Sequence, residues 1–118
     1  INLLNNYSYY LALEKVDLDR AKELILKVID KFPDNSTYND TYGWVMFQIG
    51  DYEKAEQVLF NAVIKDGEKS GEILEHYGDV LFKLDKKKKA ITFWRKAEET
   101  GEYSTELIQK INENKFIE

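Results

Sequence analysis

A seven-residue segment recurs thirty-five positions downstream without a gap, so the chain should stack one supersecondary unit on the next. Thr41-Tyr42-Gly43-Trp44-Val45-Met46-Phe47 lies over His76-Tyr77-Gly78-Asp79-Val80-Leu81-Phe82. At the same offset Ala90 answers Ala55, Trp94 answers Leu59 and Ala97 answers Ala62. A weaker copy lies upstream at an offset of thirty-four, where Ala21, Ile25 and Val28 match Ala55, Leu59 and Ala62. That offset puts Tyr9 opposite Gly43 and Gly78, whereas a slip of one residue puts Ser8 there.

Within each copy the apolar residues recur at helical spacing, and no segment alternates as a strand would. Tyr38, Tyr42, Val45, Met46 and Ile49 mark one buried stripe, and Ala55, Val58, Leu59 and Ala62 mark the next. Between them Gly50 suits a left-handed helix end and Asp51 suits a cap. The third copy repeats the pattern with Ile73 or Leu74, Tyr77, Val80, Leu81 and Leu84, then Ala90, Ile91, Trp94 and Ala97. The first gives Leu4, Tyr9, Leu11 and Ala12, then Ala21, Leu24, Ile25 and Val28. Pro33, the only proline, closes that unit. Helices are expected over 2–15, 18–31, 36–49, 52–65, 71–84, 87–99 and 104–115.

The last helix has no second helix after it. Leu107, Ile108, Ile111 and Phe116 would cover the open end of the third unit, with Glu106, Lys110, Asn112 and Glu113 facing water. This is the pattern of a capping helix. Gly43 and Gly78, with Ala55, Ala62, Ala90 and Ala97, allow helices to approach to roughly 8–10 Å. The expected domain is single, with units at about 2–35, 36–70 and 71–102 and a cap at about 104–115.

Composition narrows the functions. The net charge of -5 argues against a phosphate-binding stripe, and so against nucleic acid. No run of eighteen apolar residues is present, so no membrane insertion is expected. The chain has no cysteine, which removes disulfides and cysteine-based zinc sites. The opening Ile1-Asn2-Leu3-Leu4 lacks the pattern of a signal peptide. The expectation is a piece of a longer protein or a processed form.

The run Gly43-Trp44-Val45-Met46-Phe47-Gln48-Ile49-Gly50-Asp51-Tyr52-Glu53-Lys54-Ala55 resembles the signature of the tetratricopeptide repeat family. Asp40 to Val45, Ile73 to Leu81 and Asn5 to Leu11 look more specifically like the C-terminal repeats of long bacterial proteins of that family, many of them exported to the cell envelope. The resemblance covers essentially the whole chain. It implies an all-α, right-handed superhelical solenoid of about three helix-turn-helix units plus a C-terminal cap. It also implies a non-enzymatic scaffold that binds a peptide or protein partner in a concave groove lined by the first helix of each unit. A bacterial envelope or periplasmic location is suggested by the resemblance only.

The face of each first helix left over by its core stripe should line that groove. It carries Leu3, Asn6, Tyr10 and Leu13 in the first unit, and Thr37, Asp40, Trp44 and Phe47 in the second. In the third it carries Glu72, Glu75, Asp79 and Phe82. Two roles are open for the aromatics: anchoring a partner, or stacking on neighbouring first helices to finish the core. Groove exposure is the expectation for Trp44 and Tyr10. Asp40, Glu75 and Asp79 would favour a basic or amphipathic partner, or serve only as a solvated face.

Some domains of this family grip a C-terminal carboxylate with lysine, asparagine and arginine. Glu72 and His76 stand where those cations would be needed, so this ligand class is rejected. Lys86-Lys87-Lys88-Lys89 reads as an anionic contact or, more simply, as a surface turn. His76 beside Glu75 and Asp79 makes at most a weak metal site. No cofactor is implied, and a lone histidine without cysteine gives no catalytic constellation. The alternative to a binding scaffold is the structural end of a longer solenoid. The isolated domain is expected to be a monomer, with Leu3, Leu4 and Tyr7 exposed if the first helix has lost a neighbour.

Overall fold

The computed structural model describes residues 2–117. Ile1, the start of the opening segment considered above, and Glu118 lie outside it. Seven α-helices are present among the described residues: α1 (Asn2–Glu14), α2 (Leu18–Lys31), α3 (Ser36–Ile49), α4 (Tyr52–Ile64), α5 (Gly71–Lys83), α6 (Lys87–Thr100) and α7 (Leu107–Glu113). A single 3-10 turn, Gly67–Lys69, joins α4 to α5. Each expected helix is found, with ends displaced by no more than a few residues. The largest displacement is at α7, which begins only after a turn through Ser104.

The helices pack in antiparallel pairs α1–α2, α3–α4 and α5–α6. Second helices meet the next first helix at α2–α3, α4–α5 and α6–α7, and neighbouring first helices touch at α1–α3 and α3–α5. This is the arrangement in which each unit buries what its neighbour leaves open.

Local chemistry explains the helix ends. Asn35, Asp51 and Ser70 cap α3, α4 and α5, their side chains accepting from the backbone N–H of Tyr38, Lys54 and Ile73. Gly50 ends α3 at φ 101°, a backbone that side chains with a Cβ rarely adopt. Asp85 fills the corresponding place after α5 at φ 63°.

Close approach fixes the small residues inside the units. A Cβ on Gly43 would lie 2.5 Å from Leu59 Cγ, and one on Gly78 would overlap the Trp94 ring. Trp94 is fully buried, as are Ile25 and Leu59 at the corresponding sites of the other second helices.

The first unit resolves the open register. Ser8 is fully buried and its hydroxyl donates to the Ala21 carbonyl at 2.7 Å. Ser8, not Tyr9, is the small residue against the second helix. The first helices therefore repeat every thirty-five residues throughout, with Tyr7, Tyr42 and Tyr77 in equivalent places. The turn from α1 to α2 holds the extra residue, and Lys15 and Asp17 there adopt left-handed backbone at φ 55° and 46°.

Candidate functional site

The first helices present a cleft of about 690 Å³. Tyr9 and Leu13 of α1, Trp44 and Gln48 of α3, and Glu72, Glu75, His76 and Asp79 of α5 line it. The far wall comes from the loop after α6 and from the C-terminal segment, through Ser104, Lys110 and Phe116.

A ladder of polar side chains runs along these helices. Its register follows the thirty-five-residue repeat: Asn5, Asp40 and Glu75 occupy one position, while Thr41 and His76 occupy the next. The Asp40 carboxylate meets His76 Nδ1 at 2.8 Å. The Lys110 ammonium donates to Glu75 at 2.7 Å and to Asp79 at 2.8 Å. The first rung is unmade. Asn5 Oδ1 is buried with no hydrogen-bond partner, and the facing-register Thr41 hydroxyl donates instead to the Thr37 carbonyl of its own helix.

Electrostatics follow from burial and pairing. Burial alone would depress the His76 imidazole, but the charges of Asp40, Asp79 and Glu72 outweigh it and raise its pKa to about 9. His76 is therefore cationic at neutral pH. Burial raises Asp79 to about 6 against the opposing pull of Lys110. Glu75 is lowered, because bonds from Lys110 and from Ser104 outweigh the burial that would raise it. Glu72 is exposed as a residue, yet its carboxyl pKa is raised by partial desolvation and by Asp40. The Tyr9 hydroxyl is raised by burial and by the charges of Glu72 and Asp40.

The structure redistributes the expected groove residues. Trp44 is 7% exposed, stacked between Phe47 at 4.4 Å and His76 at 3.9 Å, so its expected exposure is corrected. Phe47 is also buried, covered by Tyr52 and by Phe116 at 5.5 Å. The stack of His76, Trp44 and Phe47, closed by Tyr52 and Phe116, takes both rings out of water. Asp40, Glu75 and Asp79 are buried too, each neutralised by a partner rather than solvated. Leu13 is exposed and lines the cleft.

Asn6 and Tyr10 are exposed but lie off the cleft, because the register of α1 brings Asn5 and Tyr9 to that face. Phe82 is half-buried and turns to Trp94 at 5.8 Å, away from the cleft. Lys110, expected in water, is 3% exposed, since two buried carboxylates need its charge. His76 groups with Asp40 and Glu72 rather than with Glu75 and Asp79 as a metal-capable set. Their ligand atoms lie within 4.8 Å of one another, but the proton on the imidazole competes with any ion there. In the lysine run, Lys86 pairs with Glu56 at 2.8 Å and Lys87 sits over the Phe82 ring at 5.8 Å.

Sequence reasoning missed Tyr9, Ser104 and Phe116 as cleft residues. The tyrosine spacing Tyr7–Tyr42–Tyr77 carries the signal for α1. For α7 the signal is an offset of thirty-four, which lays Leu107 over Ile73 and Lys110 over His76. No such pattern marks Phe116.

No family model matches the chain, and no curated protein matches it. Among solved structures it is similar to the Sgt2 TPR domain from Aspergillus fumigatus, with a TM-score of 0.84 and 18% identity over 96% of this chain and 75% of that one. It is also similar to the first TPR domain of the human RPAP3 protein, with a TM-score of 0.83 and 17% identity over 95% of this chain and 87% of that one. Repeat spacing, helix pairing and these likenesses agree: the chain has the fold of the tetratricopeptide-repeat domains.

Proposed function

We propose that the chain is a non-enzymatic protein-interaction scaffold whose cleft takes a basic or amphipathic segment of a partner protein. The observation that carries this reading is the open side of the cleft. Leu13 gives exposed apolar area there, and Glu72 adds a carboxylate beside the Asp40–His76 pair. A lysine or arginine from a partner would meet that carboxylate as Lys110 meets Glu75, with aromatic rings beside it. The fold shared with TPR domains supports a scaffold, and the net charge of -5 disfavours nucleic acid.

A second reading is favoured by a specific observation. Phe116 already covers Phe47, and Lys110 already satisfies Glu75 and Asp79. In that reading the chain fills its own groove and serves as the structural end of a larger solenoid. The two are separated by capture from a lysate of the source organism with wild type and a Leu13→Asp/Glu72→Lys variant. Both residues are exposed, and retention of the fold in the variant is checked by circular dichroism. A protein held by wild type and released by the variant supports the cleft. Equal capture sinks it, and no capture by either favours the structural end.

A further inference from the structure

The residues after α6 are held in two different ways. Helix α7 is docked firmly: Leu107 is fully buried, and Lys110 is enclosed between Glu75 and Asp79. Asn114 then ends the helix with left-handed backbone at φ 55°. The last backbone hydrogen bond among the described residues runs from the Lys115 N–H to the Lys110 carbonyl, at 3.3 Å. Beyond it, Phe116 and Ile117 are half-buried and reach the cleft through their side chains.

The Phe116 ring sits in a defined socket. It meets Phe47 edge-on at 5.5 Å, and the ammonium groups of Lys83 and Lys110 lie 4.8 and 5.3 Å from its centre. Phe47 is stacked in turn on Trp44, and Trp44 on His76. The rings form one column. It runs from the socket to the Asp40–His76 pair, beside which stands the Glu72 carboxylate. An aromatic side chain suits such a socket, because it offers an edge to a neighbouring ring and a π face to cations. An aliphatic side chain offers neither.

We propose that this socket is an aromatic subsite of the cleft, and that residues 114–117 are a displaceable strap. Phe116 fills the socket until an aromatic side chain of the partner takes its place. The inference rests on the cleft function proposed above and specifies it. The partner segment carries an aromatic residue for Phe47 as well as a basic one for Glu72. Displacement is local: α7 stays docked through Leu107 and Lys110, so only the contacts of Phe116 and Ile117 are given up. A tethered strap competes as if present at about millimolar concentration. A ligand of the socket therefore binds more weakly, in proportion to the fraction of open molecules.

The test uses the strap's own sequence as the probe. An acetylated and amidated peptide of residues 113–117, Glu-Asn-Lys-Phe-Ile, is titrated at millimolar concentration into wild type and into Phe116→Ala. Binding is followed by the NMR signal of the Trp44 indole, which lies directly under Phe47 and is assigned with Trp44→Phe. The expected result is binding to Phe116→Ala at least about tenfold tighter than to wild type. The same peptide with alanine in place of phenylalanine should not bind. Equal binding to the two chains, binding to neither, or equal binding of the two peptides overturns the inference. Phe116→Leu keeps apolar bulk and loses the ring, so it serves if Phe116→Ala loses its helical circular dichroism signal. It too should bind the peptide more tightly than wild type, and wild-type affinity there counts against the strap.

Adding Glu72→Lys to Phe116→Ala separates the strap from the reading it rests on. Peptide binding should persist, because the socket lies at the other end of the ring column from Glu72. Its loss would place the peptide outside the socket and overturn the inference. Partner capture that ignores Leu13→Asp/Glu72→Lys while the peptide still binds Phe116→Ala sinks the basic-segment reading and leaves the strap and its socket standing.

Discussion

The two ends of the polar ladder are built from equivalent positions and differ in every electrostatic respect. At the first rung Asn5 is neutral, buried and unpaired on its carbonyl oxygen, facing the register of Thr41. At the last, Glu75 and Asp79 hold a buried lysine between them, and Ser104 adds two further donors to Glu75 through its backbone N–H and its hydroxyl. Asp40–His76 stands between these extremes, with one acid and one base. The same backbone scaffold thus accepts an amide, an ion pair or a triad. The interaction between successive first helices is set by the two residues at each rung and not by the fold.

This contrast gives measurable consequences, the largest at the last rung. Lys110→Met should destabilise the chain by about 3–5 kcal/mol in urea unfolding, because it strands two buried carboxylates. Adding Glu75→Gln and Asp79→Asn to that variant should restore at least half of the loss. If Lys110→Met is neutral, the rung is not a stabilising unit.

The middle rung should respond to pH. The folded state holds His76 at about 9, above its ordinary value of 6.5. The stability this contributes is therefore complete below about pH 6.5 and is lost as pH rises through about 9, with a size on the order of 3 kcal/mol. Asp79, raised from 3.8 to about 6, works in the same direction at lower pH, since its ionisation is harder in the folded state. Urea unfolding between pH 6.5 and 9.5 should show the decline in wild type and a flatter profile in His76→Gln. Parallel profiles would assign the dependence to other groups.

The first rung should behave in the opposite sense. Asn5→Leu removes an unpaired buried acceptor and should raise stability by about 1 kcal/mol. Asp40→Leu, at the equivalent position, should lower it by removing the hydrogen-bond partner of the buried His76 ring. Equal effects at the two sites would show that the rungs are not distinguished by pairing. The smallest effect is expected at the surface. Lys86→Ala breaks a partly exposed pair with Glu56 and should cost less than about 1 kcal/mol, shrinking further at high salt.

Much of this was legible beforehand. The thirty-five-residue spacing of Gly43 and Gly78, the alanines of the second helices, and the Gly50-Asp51 break located the helices and their pairing. Each is a local rule about small side chains or caps. The site was less legible. Trp44 and Tyr10 carry no mark in the sequence that tells a groove aromatic from a buried one. Trp44 is covered by stacking on His76, thirty-two residues away, and Tyr10 is turned off the cleft by a one-residue difference in the turn after α1.

The sequence by itself determined the repeat, the helical period within it, and the small residues that let helices meet, because these depend on neighbours three or four positions apart or on spacing at a fixed interval. Only the tertiary structure decided which charges are buried. Whether Lys110 faces water or the Glu75–Asp79 pair depends on where α7 lands on α5. That landing is fixed by packing between segments more than thirty residues apart, where the energy of a charge changes from a small solvated term to one that must be matched.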